Sequence, residues 1–227
     1  LEQEGYILRT PGRGSFVAPT SRREKPLRIS QGRTLAVACP VLECHYTRQV
    51  IQGFTRYAAE NGYHTMVSFQ IFSNEAEFDF LADIRNSGID GIAFWLQHPC
   101  GLTLDLLEKF RKASFPFVLI DRYVRGVEAD HVVTDNEDMG YRLTKALITR
   151  GHRVISLITT PLDNTATESR RDGFRKALHE EKLPYLTNLI GATTDEEQSI
   201  SSVVCRIMAR PQRPTAFVCT NDGVAAK

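Results

Sequence analysis

The sequence predicts an α/β protein whose parallel sheets are divided between two lobes. Three observations carry this. Residues 117–158 read as an apolar strand, a polar turn, a second short strand, a helix and a third apolar strand. From Thr34 onward, apolar runs of strand length alternate with segments of helical period, the pattern of parallel sheets covered by helices on both faces. Finally, 227 residues of which 42% are hydrophobic can bury a large core, and so many strands divide more readily between two sheets than they fill one.

The elements follow in order. Tyr6–Arg9 and Ser15–Val17 are strand-like, and Pro11-Gly12-Arg13-Gly14 between them supplies turn residues, so residues 6–17 read as a hairpin. Residues 20–33 hold few apolar groups and read as a linker. Leu35–Pro40 is a strand, followed by a helix over Tyr46–Asn61 with Val50, Ile51, Phe54, Tyr57 and Ala58 on one face. Met66–Phe72 and Gly91–Leu96 are strands separated by a helix over Glu75–Ser87. Thr103–Ala113 is a helix and Pro116–Ile120 a strand. After a crossing segment, a helix over Met139–Arg150 leads to a strand at Val154–Thr159. Thr167–Glu181 is a helix, Leu186–Ile190 a strand, Asp195–Ala209 a helix and Ala216–Cys219 a strand. The domains expected are a hairpin unit over 1–19, the linker 20–33, a first lobe over 34–138 and a second, incomplete lobe over 139–227. Leu1–Gly5 reads as the last turn of a helix and Asn221–Lys227 as the start of one, so both ends are expected to be cut.

Composition excludes several functions. The formal net charge of +1 gives no whole-chain reason to bind nucleic acid or membrane. Residues 1–33, however, carry seven basic and three acidic groups, an excess of four that leaves the remainder of the chain at three negative. The five cysteines (Cys39, Cys44, Cys100, Cys205 and Cys219) form no CxxC, which favours a reducing, cytoplasmic setting over a disulfide framework or metal site. No metal, cofactor or catalytic constellation is expected: the six histidines show no ligand spacing, no phosphate-cradling glycine loop appears, and His152 reads as a brace for its turn.

Polar residues interrupt the apolar runs where strands should end. Asp121, Arg122, Asp135 and Asn136 all do so. In open α/β sheets ligands bind just beyond the carboxyl ends of the strands, so these groups are placed to meet a small molecule.

Five motifs then point to a family. They are Leu119-Ile120-Asp121-Arg122, Val133-Thr134-Asp135-Asn136, Gly151-His152-Arg153, Arg170-Arg171-Asp172-Gly173-Phe174, and Thr215-Ala216-Phe217 leading to Asn221-Asp222. In this order, residues 34–227 resemble the effector-binding half of the lactose-repressor-like regulators, which share the fold of type I periplasmic sugar-binding proteins. Residues 1–19 resemble the wing of a GntR-type winged helix, and the combination is similar to the arabinose-utilisation repressors. The resemblance implies a ligand-responsive bacterial transcription repressor, a homodimer without enzymatic activity, that couples a small sugar effector to operator DNA. A sugar-binding receptor of a transport system has the same fold and is the alternative.

The resemblance also suggests site residues, each with a plainer reading. Asp121 is a carboxylate for sugar hydroxyls or a turn-forming cap, and Arg122 beside it could pair with an acidic neighbour. Arg170 is a planar donor to two hydroxyls or a surface arginine. Asn221 is a ligand contact, a helix N-cap, or both through different atoms. Tyr46 and Trp95 stack on a sugar ring or pack on the lobe. Arg9, Arg13 and Gly14 contact DNA at the wing tip or form a solvated loop.

Overall fold

A computed structural model describes residues 7–10, 14–17, 33–39, 45–69, 84, 88–96, 101–160, 164–193 and 197–227. The chain divides into two compact units, Leu1–Arg33 and Thr34–Lys227. In the first, β1 (Ile7–Thr10) pairs antiparallel with β2 (Gly14–Val17), Arg9 opposite Ser15 and Thr10 opposite Gly14.

The second unit holds two parallel sheets, as the alternating pattern predicts. The first is built from β3 (Thr34–Cys39), β4 (His64–Phe69), β5 (Gly91–Phe94), β6 (Phe117–Ile120) and β7 (His131–Val132), in the order β4-β3-β5-β6-β7. Helix α1 (His45–Glu60) follows β3 and α2 (Gly101–Lys112) follows β5. Because side chains alternate along a strand, each strand feeds two cores. Ala36, Ala38, Ile92 and Phe94 face a cluster with Leu106, Leu107 and Phe110 of α2. Val37, Cys39, Ala93 and Trp95 face the opposite one, with Ile51, Val50 and Phe54 of α1. Both faces are covered, which is why these strands are apolar without interruption.

Residues 133–135 carry the chain to the second sheet, which has the order β10-β8-β9. It consists of β8 (Ile155–Thr159), β9 (Ile190–Ala192) and β10 (Ala216–Cys219). Its helices are α3 (Asn136–Thr149), α4 (Thr165–Glu180), α5 (Glu197–Met208) and the short α6 (Asp222–Ala225). Ile148 of α3 and Phe174, Ala177 and Leu178 of α4 close one face over Ile155, Leu157 and Val218.

Helices α3 and α4 lie against each other with almost no side chain between them. A Cβ at Gly140 would stand 2.1 Å from the Arg170 carbonyl oxygen, and one at Gly173 would stand 2.0 Å from that of Glu137. Glycine is required at both positions because backbone occupies the space a methyl group would take.

Three expectations are corrected. The helix placed at Met139 begins at Asn136, because Asp135 accepts a hydrogen bond from the Asp138 amide at 2.9 Å and so caps the helix earlier. The helix placed at Thr167 begins at Thr165, because Asn164 accepts from the Thr167 amide at 2.9 Å. The strand placed at Leu186–Ile190 is instead a 3₁₀ turn over Thr187–Leu189 followed by β9. The turn is closed by the Leu189 amide donating to the Leu186 carbonyl at 2.9 Å, and the Leu189 carbonyl accepts from buried Ser156 Oγ at 2.5 Å. The helix expected over Glu75–Ser87 lies outside the described residues except for Ile84, which is buried in the first core.

Candidate functional site

The polar residues named above collect where the two sheets present their carboxyl ends. Asp121 directly follows β6 and has a φ of 68°, in the left-handed region that aspartate tolerates better than most residues. Its amide donates to the Val132 carbonyl at 2.9 Å, which holds the conformation against β7. The side chain is buried, and Oδ2 accepts from Arg122 Nε at 3.2 Å. No partner among the described residues meets Oδ1. A buried carboxylate oxygen without a hydrogen bond is costly, and a non-glycine residue in this backbone region adds to that cost.

Arg170 lies one turn and a half into α4. Its Nε donates to Asn136 Oδ1 at 2.8 Å and its Nη1 to the Thr220 carbonyl at 2.5 Å. Nη2 has no partner among the described residues. Burial pulls the guanidinium below its ordinary pKa. The Asp121 carboxylate opposes that shift and Arg122 reinforces it, while Tyr46 and Asp222 also act to hold the proton. The field at Arg170 thus comes from both sheets.

Asn221 follows β10 and caps α6, its Oδ1 accepting from the Val224 amide at 2.8 Å. Its amide nitrogen is left without a partner among the described residues, so capping and ligand contact are compatible. Tyr46, at the start of α1, is 41% exposed and its hydroxyl meets Thr134 Oγ1 at 3.5 Å. Trp95 is a correction. It is only 5% exposed, sits in the α1-facing core, and touches Tyr46 edge-on with ring centroids 5.3 Å apart. The ring that this pair offers to solvent is that of Tyr46; Trp95 props it.

A cavity of about 360 Å³ opens beside Asp121, lined also by Tyr123, Thr134, Asn136, Thr165 and Ser169. Of the five predicted contacts only Asp121 lines it; Arg170 adjoins it through its bond to Asn136. The structure therefore brings together Tyr46, Asp121 and Arg170, with Asn221 one residue beyond the carbonyl that Arg170 holds. Sequence reading placed Asn136 among the polar strand-end groups facing a ligand but gave it no specific role, and it missed Thr165 and Thr220. Thr165 Oγ1 bonds both the backbone nitrogen and carbonyl of Tyr123, each at 3.2 Å, and so ties the start of α4 to the segment after Asp121. Only Asn136 gave a signal, as a polar residue at a strand end inside one of the motifs.

Elsewhere, His152 Nδ1 lies 2.9 Å from Thr215 Oγ1, joining the turns that precede β8 and β10. Among the described residues no three histidine, cysteine or acidic side chains could hold a metal, and no helix is long and apolar enough to cross a membrane. Arg9 and Gly14 occupy strands of the hairpin, and Arg13 lies outside the described residues.

Comparison with known proteins fits this geometry. The chain is 28% identical over 202 residues to the HTH-type transcriptional repressor PurR of Vibrio atlanticus, covering 88% of this chain and 60% of that protein. It is 26% identical over 203 residues to PurR of Haemophilus influenzae, covering 88% of this chain and 59% of the relative. The chain thus spans about 60% of the length of the curated relatives it matches. Among solved structures, the transcription regulator CcpA of Lactococcus lactis superposes with a TM-score of 0.75 at 22% identity, over 85% of this chain and 69% of that one. A putative ribose operon repressor from Burkholderia thailandensis gives 0.75 at 20% identity, over 85% and 70%. These relatives are lactose-repressor-like, and they lend no support to the GntR-type reading of residues 1–19. Residues 35–227 match the family described as "Periplasmic binding protein domain", and the chain belongs to that family.

Proposed function

We propose that this chain is the effector-sensing part of a bacterial transcription repressor, and that it binds a small sugar or sugar derivative at the carboxyl ends of its two sheets. The observation that carries the reading is a pair of groups at the site without a hydrogen-bond partner among the described residues: Asp121 Oδ1, a buried acceptor, and Arg170 Nη2, a partly buried donor. A ligand hydroxyl both donates and accepts, so one polyol satisfies both. The exposed Tyr46 supplies an aromatic face for a sugar, and the amide nitrogen of Asn221, without a partner among the described residues, a second donor.

Because Asp121 belongs to the first sheet and Arg170 and Asn221 to the second, a ligand that bridges them favours one arrangement of the lobes. That differential binding is the free energy available for control, typically ~1–3 kcal/mol, and it runs both ways between effector and DNA. The chain works as a homodimer in this reading, the change in lobe arrangement altering the spacing of two DNA-binding heads. The finer proposal is that residues 1–19 are the wing of a winged-helix head, with Arg9, Arg13 and Gly14 at the DNA. Its support is the antiparallel hairpin and the basic balance of residues 1–33. Arg13→Ala in a protein with an intact head should then lower the salt dependence of DNA binding by about one phosphate contact.

A thermal-shift screen against pentoses, hexoses and their phosphates tests the sensor reading. One class should raise the unfolding midpoint, and Arg170→Ala should reduce the rise. A flat response to every sugar and sugar phosphate contradicts the proposal.

A further inference from the structure

A line of hydrogen bonds runs through one buried side chain of the site. Tyr46 Oη at the start of α1 meets Thr134 Oγ1 at 3.5 Å, and the Thr134 carbonyl accepts from Asn136 Nδ2 at 3.0 Å. Asn136 Oδ1 in turn accepts from Arg170 Nε at 2.8 Å, and Arg170 Nη1 donates to the Thr220 carbonyl at the end of β10. The line starts on a helix of the first sheet and finishes at a strand end of the second. Asn136 is 6% exposed and stands at its centre.

Only an amide satisfies both neighbours of this position. Its nitrogen donates to a carbonyl on one side while its oxygen accepts from a guanidinium on the other. A carboxylate would turn an acceptor toward the Thr134 carbonyl, and an aliphatic side chain would leave both the carbonyl and Arg170 Nε without partners. The amide is also neutral. Both groups that Arg170 touches directly are uncharged oxygens, and the nearby Asp121 carboxylate is engaged by Arg122. The guanidinium is therefore held in direction by neutral oxygens, with no carboxylate bonded to it among the described residues, which leaves its remaining amino group a strong donor.

We propose that Asn136 is a positioning residue: it aims Arg170 Nη2 at the effector and, by being neutral, keeps the arginine's charge available for it. This rests on the reading that Arg170 contacts the ligand. The proposal distinguishes Asn136 from a residue that merely braces the start of α3, because two substitutions should disturb Arg170 in opposite ways and still both impair binding. In Asn136→Ala the guanidinium loses its fixed direction. In Asn136→Asp it keeps an acceptor at Nε, but the new carboxylate cancels its charge.

The test uses arginine-selective ¹⁵N–¹H spectra of the whole chain, with the Arg170 Nε–Hε signal assigned by its disappearance in Arg170→Lys. Slow exchange of that proton is expected in the parent protein, fast exchange in Asn136→Ala, and slow exchange in Asn136→Asp. This arm needs no ligand, so it decides the positioning role even if the sensor reading fails. The second arm titrates D-ribose, L-arabinose, D-glucose and their phosphates. Whichever of these raises the parent's midpoint should bind both variants at least about tenfold more weakly, the loss expected for one hydrogen bond to a charged group. Asn136→Asp should do so with its own unfolding midpoint preserved. Unchanged Hε exchange in Asn136→Ala, or parent-like binding by Asn136→Asp, overturns the proposal. Should Asn136→Ala not fold, Asn136→Ser is read in its place, with the same expected loss of protection.

Discussion

The two sheets of the second unit are stabilised in opposite ways. Around the first, bulk fills the space: Phe110 is 1% exposed and its ring lies within 6 Å of those of Phe94, Phe115 and Phe117. Around the second, an apolar core with Phe174 and Leu178 is joined by a contact made of absent side chains, since Gly140 and Gly173 let α3 and α4 meet backbone to backbone. Buried polar groups divide unevenly too. Among the described residues the second sheet and its helices bury Ser156, Thr159, Asn164, Thr167, Thr193 and Thr220, whereas the first buries Thr47 and, as its one charged group, Asp121. The first sheet behaves as a platform that presents one carboxylate. The second acts as a frame of hydrogen bonds around Arg170.

Substitutions should separate the two modes. The largest effect falls on the platform: Phe110→Ala removes a fully buried ring and should cost ~3–5 kcal/mol of stability in denaturant unfolding. On the frame the same scale of loss comes from adding a methyl group. Gly173→Ala forces α3 and α4 apart and should cost about 3 kcal/mol, at the upper end for overpacking, because the obstacle is backbone. If Gly173→Ala proves as stable as the parent, the backbone contact is not as close as described. Arg170→Ala comes next, and it should weaken effector binding by ~1.5–3 kcal/mol, the loss expected when a charged donor is removed. Asn164→Ala removes one cap from a sixteen-residue helix and should cost about 1 kcal/mol, read as a lower unfolding midpoint. The smallest effect belongs to Arg125→Ala. Its 2.6 Å pair with Glu168 is solvent-exposed, and its loss should fall within the error of the measurement.

Strands were easier to read in the sequence than helix starts and turns. Strands buried on both faces leave unbroken apolar runs, and β3, β5, β6, β8 and β10 were all found from these within one or two residues. The starts of α3 and α4 were placed two or three residues late, because their first turns are polar and carry no apolar period; Asp135 and Asn164 were the signals. β9 was misplaced because a 3₁₀ turn, closed by the Leu189 amide donating to the Leu186 carbonyl at 2.9 Å, buries Leu189 as a strand would. At the site, Asp121, Arg170 and Asn221 were legible as polar residues following apolar strands or inside a motif. Thr220 was not, because it contributes a backbone carbonyl, which any residue possesses. Trp95 illustrates the opposite error: a lone tryptophan at a strand end reads as a stacking surface, yet period-two alternation assigns it to the same face as Val37 and Cys39, where α1 covers it.

The central claim is that Asp121 and Arg170 serve one ligand from two sheets. A double-mutant cycle tests it most directly, by calorimetric titration of the parent, Asp121→Asn, Arg170→Gln and the double variant with the sugar that raises the unfolding midpoint. A shared ligand predicts a coupling energy of about 1 kcal/mol or more between the two positions, whereas additive losses would place them at separate tasks and contradict the account.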